Sequence, residues 1–326
     1  MIRTQLHNDI FEIVMLNAPV NALSAPLRQG LVRALTEAQD NPAVKAIVIR
    51  GDGKLFSGGA DITEFGQLPI DPMLPDVAFV IEESGKPVIA AVHGIALGGG
   101  LEVAIASHYR VVTPDAKLGL PEVTLGLLPG AGGTQRLPRL IGAEAALGMI
   151  VSGVPISGSK GAEIGLVDKL ATEGDLAAEA IAFARTVDGP RRTGHRVVAA
   201  DNALFDRFAS DNARTIKGLD APQACIEAVK AATHLSIKDG QELESALFAK
   251  LVEGGQSRAL RHVFFAERAA AKVDGLPKDT GLRPIAKVGI IGAGTMGGGI
   301  AMNFLSRGIP VTIVETAQTH WIAASA

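Results

Sequence analysis

Two glutamates, each beside a glycine-rich segment, are the residues whose types and spacing best suit acid–base chemistry. Glu102 follows the triple glycine at 98–100, and Glu122 precedes the segment LPGAGGT at 128–134. Two carboxyl groups that flank one water molecule can take a proton from it and give a proton to carbon. Considered singly, Glu102 is better explained as an exposed helix residue and Glu122 as the partner in a loop ion pair. Only the combined pattern therefore indicates a site.

The glycine-rich turns can supply backbone donors to an oxygen that becomes negatively charged. The segments FSGGADI at 56–62 and HGIALGGGLE at 93–102 each follow a predicted strand. A triple glycine that enters a helix leaves the first N–H groups free and uncovered by side chains. Two such donors that converge on one oxygen form an oxyanion hole. A tight strand-to-helix turn without a ligand explains either segment alone equally well.

Alternating strands and helices must position these turns. Apolar, β-branched runs predict strands at residues 10–16, 44–50, 86–92 and 109–112. Ser24 is predicted to cap a helix that ends near Gln39. Strands that alternate with helices in this way indicate an α/β fold with a mostly parallel sheet.

The chain of 326 residues changes character twice along its length. Strand signals fade after residue 175 and helical periodicity replaces them, until two Gly and two Pro in the segment 274–284 mark a linker. We therefore predict an α/β domain at 1–175, a helical segment and linker at 176–284, and a fragment of a second α/β domain at 285–326.

Composition excludes several classes of protein. The 31 basic and 34 acidic side chains give a net charge of −3. This charge lacks the excess of basic residues that binding to nucleic acid or an anionic membrane requires. Cys225 is the only cysteine, so neither an internal disulfide nor a cysteine-based zinc site can form, and we assign no metal site. No run of about 18 uncharged apolar residues predicts a membrane span. We expect a soluble protein of a reducing compartment, with no nucleic-acid partner and no membrane insertion.

The joint pattern of glycine turns and glutamates resembles the crotonase superfamily of enoyl-CoA hydratases and isomerases. The resemblance runs from about Ile10 to Leu170 and is carried by FSGGADI, AVHGIALGGGLE, GLPEVTLGLLPGAGGTQRL and GLVDKL. It implies a spiral of ββα turns, an acyl-CoA thioester as substrate and no cofactor for hydration. Members usually form trimers, and the sequence leaves both self-association through this domain and a monomer open.

The resemblance also implies roles for individual residues. Ala60 and Gly99 would donate the two N–H groups of the oxyanion hole. Glu122 would exchange the proton at C2 of the substrate, Glu102 would orient and activate the water, and Gly130 would help to position that water. Three further residues are expected beside the substrate: Gly58, Asp61 and Gly98. Asp61 is expected mainly as a capping residue.

The presence of both glutamates favours a hydratase, which adds water across the 2,3 double bond of a trans-2-enoyl-CoA. A Δ3–Δ2-enoyl-CoA isomerase, which can work with one carboxylate, is the first alternative. A non-catalytic acyl-CoA-binding protein is the second. His93 is expected to be structural. Arg191, Arg192 and Arg196 form a basic cluster that fits a solvated helix face better than a phosphate contact.

The C-terminal segment KVGIIGAGTMG at 287–297 reads as a strand, a G-x-G-x-x-G turn and a helix that runs to about Ser306, with a second strand at 310–314. Glu315 lies 18 residues after Gly297, near the position of a ribose-binding acid. These features predict an NAD site with the following residues: Gly292, Gly294, Gly297 and Glu315. The order of segments, with FFAERAAAKV as a linker helix, resembles the multifunctional β-oxidation enzymes, in which a 3-hydroxyacyl-CoA dehydrogenase follows the hydratase.

This predicted Rossmann fragment is incomplete. The 41 residues from 286 to 326 supply one β-α-β unit, whereas a dinucleotide fold needs two such halves. We expect NAD to act only in a longer parent, no hydride transfer by this chain, and a truncation or frameshift in the segment 316–326. The expected location is the cytoplasm for a bacterial protein and the peroxisome for a eukaryotic parent.

Overall fold

The computed structural model describes residues 1–316 apart from 66, 173, 271, 272, 274, 278 and 282, and it leaves out the side chain of residue 202. The predicted truncation or frameshift in 316–326 thus falls almost wholly outside the described residues. The chain forms two compact units, residues 1–269 and 270–326.

The first unit alternates strands and helices over its first 170 residues and is helical afterwards. Its strands are β1 (Ile2–His7), β2 (Ile10–Met15), β3 (Ala46–Gly51), β4 (Val88–Val92), β5 (Ile95–Leu97), β6 (Tyr109–Val112), β7 (Lys117–Gly119), β8 (Ile156–Ser157) and β9 (Lys169–Leu170). Its first helices are α1 (Ala25–Asp40), α2 (Leu74–Glu82), α3 (Gly99–Ala106), α4 (Gly133–Ile141), α5 (Ala143–Ser152) and α6 (Gly158–Glu163). The later helices are α7 (Leu176–Ala184), α8 (Asn202–Asp211), α9 (Ala213–Ile216), α10 (Asp220–Ala231), α11 (Ile237–Glu253) and α12 (Gly255–Ala270). Short 3₁₀ helices lie at Ile62–Glu64, Glu122–Leu125 and Thr193–His195.

Within the described residues, six strands form the main sheet in the order β1-β2-β3-β4-β6-β9. Only the edge pair β1–β2 is antiparallel, and the other pairs are parallel. The central strands are apolar runs that are buried on both faces, as a parallel sheet requires. The predicted strands and the mostly parallel sheet are therefore confirmed, whereas β1, whose polar sequence IRTQLH is largely exposed, had not been predicted.

Helices cover both faces of this sheet. Alternate residues of β2, β3 and β4 face one core with α1, α2 and α3, and the others face a second core with α7. Because α7 packs against β3, β4 and β6, the helical part of the chain begins within the same compact unit as the sheet. The boundary between 1–175 and 176–284 stays a prediction.

Ser24 occupies the predicted N-cap position of α1, but its side chain accepts no hydrogen bond from the helix. Instead, the Ala25 N–H donates to Glu64 Oε1 at 2.8 Å. The predicted N-cap residue of α1 is therefore confirmed, but a carboxylate from a distant turn, and not the Ser24 side chain, satisfies the first helical donor.

A smaller sheet in the order β5-β7-β8 brings the two segments with glutamates together. Strand β5 pairs in parallel with β7, with Leu97 opposite Gly119. The Gly98 N–H then donates to the Gly119 carbonyl at 2.9 Å. This pairing places the start of α3, which carries Glu102, beside the 3₁₀ helix that starts at Glu122.

The second unit consists of β10 (Val288–Ile291), α13 (Thr295–Leu305) and β11 (Val311–Val314). The two strands pair in parallel, with Val288 opposite Val311. This is the strand, helix and strand that the sequence predicted, with element ends within one residue. Among the described residues of both units, no helix is long and apolar enough to span a membrane.

Candidate active site

A cavity of about 410 Å³ opens in the first unit beside both glycine turns. Six predicted site residues line it: Ala60, Asp61, Gly99, Glu102, Glu122 and Gly130. Most of the remaining wall is apolar and comprises Phe65, Leu68, Pro69, Ile70, Met73, Leu74, Pro75, Phe248 and Val252. An apolar cavity with a few convergent polar groups is the usual form of a small-molecule site.

Two backbone N–H groups lie side by side at one end of this cavity. A Cβ added to Gly99 would lie 3.2 Å from Ala60 N, and one added to Gly59 would lie 3.5 Å from Gly99 N. In the described part of the chain, neither Ala60 N nor Gly99 N donates to another protein group. Two free N–H groups side by side are what an oxyanion hole requires, and that role of Ala60 and Gly99 stays a prediction.

Hydrogen bonds between the two glycine turns fix this pair of donors. The Ser57 N–H donates to the Ile95 carbonyl at 3.0 Å, and the Leu97 N–H donates to the Ser57 carbonyl at 3.1 Å. Gly59 has a φ of +106°, a conformation that side chains rarely allow, and an added Cβ would lie 2.8 Å from the Leu97 carbonyl oxygen. Glycine at 59 is thus needed to let the turns approach.

Glu102 lies in the first turn of α3 and is almost completely buried, at 3% exposure. Its Oε1 accepts hydrogen bonds from the N–H groups of Ala131, at 2.7 Å, and Gly133, at 2.9 Å. Burial raises the pKa of Glu102 to about 6, against the lowering effects of these two donors and of the Arg136 guanidinium. Glu102 is therefore a fixed carboxylate that is mostly ionised at neutral pH.

Glu122 lies at the start of its 3₁₀ helix, and its carboxyl group has fewer hydrogen-bond partners than that of Glu102. Its Oε2 is inaccessible to solvent and has no hydrogen-bond partner among the described residues. Burial, reinforced by the negative charges of Glu102 and Glu244, raises the pKa of Glu122 well above its ordinary value. A Cβ on Gly98, which has a φ of +51°, would lie 3.0 Å from Glu122 Oε1. Glycine at 98 therefore leaves room for this carboxyl.

Glu244 is a third buried carboxylate that the sequence did not reveal. It lies on α11 at 1% exposure and accepts hydrogen bonds from the N–H groups of Gly132, at 2.6 Å, and Thr134, at 3.0 Å. Burial and the charge of Glu102 raise its pKa to about 8. The available signal was its place on the stripe of α11 that carries Leu247 and Leu251 at helical spacing, since an acid in such a stripe is unusual.

Arg28 anchors the apolar wall of the cavity. Its buried guanidinium forms an ion pair with Glu64 at 2.7 Å and donates to the carbonyls of Ile70, at 3.0 Å, and Pro72, at 2.7 Å. These bonds tie the 62–73 segment to α1. Gly130 closes another side, because an added Cβ would lie 2.7 Å from Cδ2 of Phe248.

Two of the expected roles concern residues at the margin of the site. Asp61 caps the 3₁₀ helix by accepting from the Thr63 N–H at 3.0 Å, which confirms its capping role, and it also lines the cavity. Gly58 is exposed on the same turn, and its N–H donates to the Val20 carbonyl at 2.8 Å. His93 Nε2 lies 3.0 Å from the Gly53 carbonyl oxygen, whereas its Nδ1 is buried without a hydrogen-bond partner among the described residues, so the structural role of His93 stays a prediction.

The basic cluster differs from the predicted helix face. Arg191 pairs with Asp168, and its guanidinium carbon lies 4.5 Å from the centre of the Tyr109 ring. Arg192 pairs with Glu83 at 3.3 Å. The segment is a 3₁₀ turn with flanking extended residues, so the prediction of a solvated helix face is wrong. Ion pairs with Asp168, just before β9, and with Glu83, at the C-terminal end of α2, hold the segment in place.

The glycine turn of the second unit contains three of the residues predicted to bind NAD. Gly292 has a φ of +97°, and a Cβ on Gly297 would lie 1.9 Å from the Gly292 carbonyl oxygen, so both positions require glycine. Gly294 is the N-cap of α13. Glu315 Oε2 accepts from the Ala293 N–H at 2.7 Å, which places this acid against the turn. The four predicted residues thus lie together.

Family models match both parts of the chain. Residues 5–218 match the enoyl-CoA hydratase/isomerase model, and residues 287–325 match the NAD-binding domain of 3-hydroxyacyl-CoA dehydrogenase. The fold and the paired carboxylates beside two free N–H groups define a crotonase-type α/β unit. The chain belongs to the enoyl-CoA hydratase/isomerase family, as the sequence motifs predicted, and it carries part of an NAD-binding domain.

Relatives and solved structures agree with this assignment. Over 94% of its own length, this chain is 41% identical to the peroxisomal bifunctional enzyme of Danio rerio. Over 99% of its own length, it is 40% identical to the peroxisomal bifunctional enzyme of Homo sapiens. It spans only 44% and 46% of these two relatives. Carnitinyl-CoA hydratase from Mycobacterium avium has a TM-score of 0.62 and 27% identity, with 82% of this chain and 95% of that chain covered. The predicted order of a crotonase fold, a helical segment and a partial dehydrogenase domain is confirmed.

Burial of Glu122 predicts a pH-dependent effect on stability. Because the pKa of Glu122 is raised, the folded protein keeps a proton that the unfolded chain releases above pH 4.5. The contribution of this protonated side chain to the free energy of unfolding is therefore lost as pH rises. Glutamine does not titrate. We expect Glu122→Gln to raise the melting temperature relative to wild type at pH 8, with the difference shrinking toward pH 4.5.

Thermal unfolding at several pH values checks this expectation. Glu37→Gln on the exposed face of α1 is the matched control, since it makes the same chemical change outside the core. A difference between Glu122→Gln and wild type that stayed constant or shrank as pH rose would contradict the proton uptake assigned to Glu122.

Proposed function

We propose that residues 1–269 hydrate the 2,3 double bond of a trans-2-enoyl-CoA thioester. The observation that carries this proposal is the pair of buried glutamates, whose pKa values are raised to different extents, beside two unpaired backbone donors. The raised pKa keeps Glu122 protonated, whereas Glu102, with a pKa of about 6, is an anchored base at neutral pH. The names of the hydratase relatives support the same reaction.

In the proposed reaction, Ala60 and Gly99 bind the thioester oxygen. The Glu102 carboxylate takes a proton from water while the water oxygen forms a bond to C3. The electrons of the C2=C3 bond move toward the thioester oxygen, where the two N–H groups stabilise the developing charge. Glu122 donates its proton to C2 as the thioester carbonyl re-forms. The sum is the addition of one water, and proton exchange returns both glutamates to their starting states.

The remaining site residues fit this reaction in supporting roles. Gly130 borders the place where the water would lie, and Gly58, Asp61 and Gly98 form the backbone rim beside the thioester and nucleotide. The apolar wall around Phe65 and Phe248 suits the acyl chain. The isomerase alternative is less well supported, because proton exchange alone needs no second anchored carboxylate.

The second unit is proposed to bind NAD in a longer parent enzyme. Gly292, Gly294 and Gly297 would hold the pyrophosphate, and Glu315 would contact the ribose. NAD, when bound, supplies a hydride acceptor. The peroxisomal names of the relatives favour a peroxisomal location for a eukaryotic parent. We keep 1–175, 176–284 and 285–326 as proposed divisions of the chain.

A direct assay tests the proposed function. The purified chain should consume crotonyl-CoA, the shortest trans-2-enoyl-CoA, without added nucleotide, as seen by loss of the absorbance of the conjugated thioester. A 3-enoyl-CoA of similar length, followed by appearance of the conjugated absorbance, measures the isomerase alternative. Turnover of the 3-enoyl substrate alone would replace hydratase by isomerase, and binding without turnover of either would favour the non-catalytic alternative.

A further inference from the structure

Glu244 holds the turn that precedes α4 from the side opposite the cavity glutamates. Its Oε1 accepts from the Gly132 N–H at 2.6 Å, and its Oε2 accepts from the Thr134 N–H at 3.0 Å and from Thr134 Oγ1 at 2.5 Å. The two acceptor oxygens of a carboxyl group suit a helix N-terminus, whose first N–H groups have no intrahelical partner. No glycine or hydrophobic residue at 244 could make these bonds.

The neighbouring N–H groups of the same turn belong to Glu102. Ala131 and Gly133 donate to Glu102 Oε1, so that four consecutive N–H groups alternate between the two glutamates. Because the donors alternate along one short turn, its orientation toward Glu102 depends on its attachment to Glu244. A shift of the turn would move the anchored oxygen of Glu102 and hence its other oxygen, which is left for the water.

Glu244 also acts electrostatically on the site. The titratable and charged groups that face it come from every element near it: Glu102 on α3, Glu122 on its 3₁₀ helix, Arg136 on α4 and Cys225 on α10. Of these, only Arg136 is positive, and it is engaged by Glu82 at 2.8 Å. Because the pKa of Glu244 is about 8, its negative charge forms on the alkaline side of neutrality, where it adds to the repulsion that raises the pKa of Glu122.

We propose that Glu244 is a positioning residue for hydration, which orients Glu102 through the 131–134 turn and sets the pH range in which the carboxylate pair works. This inference rests on the proposed hydratase function. It assigns a role to a residue that touches neither the cavity nor the substrate and that lies more than 100 positions from the turn it holds.

The test compares Glu244→Gln with Glu242→Gln, the same change on the exposed face of the same helix. In Glu244→Gln the amide NH2 group faces an N–H donor, so the turn should shift and kcat for crotonyl-CoA should fall about 10²-fold, the cost of misplacing a catalytic group by about 1 Å. KM should change little. The alkaline limb of the rate profile should move to lower pH, because one negative neighbour of Glu122 is gone.

Glu244→Asp keeps the charge but shortens the side chain. It should leave the alkaline limb near its wild-type pH while kcat falls, which separates the electrostatic effect from the positional one. If Glu244→Gln does not fold, Thr134→Val takes its place, because it removes the hydroxyl donor at nearly constant volume and should lower kcat with little change in KM.

Several outcomes would overturn the proposal. One is a folded Glu244→Gln with wild-type kcat, and another is a fall in kcat with an unmoved alkaline limb, which would indicate a structural role alone. If Glu244→Gln does not fold, wild-type kcat in Thr134→Val would have the same meaning. Absence of hydration by wild type and by Glu242→Gln would instead refute the hydratase function on which the inference rests.

Discussion

Replacing Glu122 or Glu102 with glutamine should lower hydration of crotonyl-CoA by about 10²–10⁴-fold in each variant, the usual cost of losing a general acid or base. Glutamine keeps the size of the side chain but can neither donate the proton to C2 nor take one from water. Binding should survive, because the substrate is held by the backbone donors and the apolar wall. The loss is therefore expected in kcat.

The pH profiles of the two variants should differ in a way that identifies each role. Wild type is expected to give a bell-shaped profile, with an acidic limb near pH 6 set by Glu102 and an alkaline limb set by the raised pKa of Glu122. The residual activity of Glu102→Gln should lack the acidic limb, and that of Glu122→Gln should lack the alkaline limb. Exchanged limbs would reverse the proposed division of labour.

Binding of butyryl-CoA, a saturated and inert analogue, provides the control for both variants. Its affinity should remain close to that of wild type, and Glu144→Gln, an exposed change on α5, should affect neither binding nor turnover. Near-normal hydration by both site variants would refute the two-carboxylate mechanism. Loss of analogue binding together with turnover would point to a damaged cavity instead.

Local sequence patterns were sufficient for the residues that lie within continuous motifs. Glu102 follows its glycine turn directly, and Gly292 and Gly297 sit in a fingerprint whose backbone geometry demands glycine. Strand β4 is an apolar run that needs no distant partner to be recognised. In each case the physical reason for the feature is encoded within a few residues. That reason is a φ value, a free N–H group or a buried strand.

Features built from distant partners could not be found in this way. Glu244 meets Gly132 across 112 positions, and Glu64 replaces Ser24 as the acceptor at the start of α1 across 39 positions from Ala25. Many acidic residues in the sequence are exposed, and only packing decides which of them is drawn inside. The edge strand β1 was not predicted for a related reason. Its pairing with β2 stabilises a polar segment that shows no apolar alternation.

Removal of one backbone donor should have the second largest effect on activity. Gly99 is the first residue of α3, where its N–H is not needed for a helical hydrogen bond, so proline can stand there without breaking the helix. Gly99→Pro removes one of the two N–H groups proposed to bind the thioester oxygen. We expect kcat to fall about 10²–10³-fold, the cost of one lost oxyanion donor.

A set of related variants separates loss of the donor from other effects. Ala60→Pro removes the second donor and should cause a similar loss, whereas Ala60→Gly keeps the N–H and should retain most of the activity. Gly99→Ala also keeps its N–H, but its Cβ would lie 3.2 Å from Ala60 N and 2.4 Å from Leu74 Cδ2. It should therefore be impaired by crowding at the oxygen site, even though both donors remain.

Circular dichroism and thermal unfolding must accompany these rates, because proline can disturb the turn as well as remove its donor. The charge on the oxygen develops during the reaction, so a donor to it matters more for the transition state than for bound substrate. Gly99→Pro adds the same Cβ as Gly99→Ala, so loss of the donor is measured as the further fall in kcat from Gly99→Ala to a folded Gly99→Pro that still binds butyryl-CoA. Full activity in that folded variant would exclude Gly99 as a donor, and equal losses in Ala60→Pro and Ala60→Gly would assign the effect at 60 to packing rather than to the N–H group.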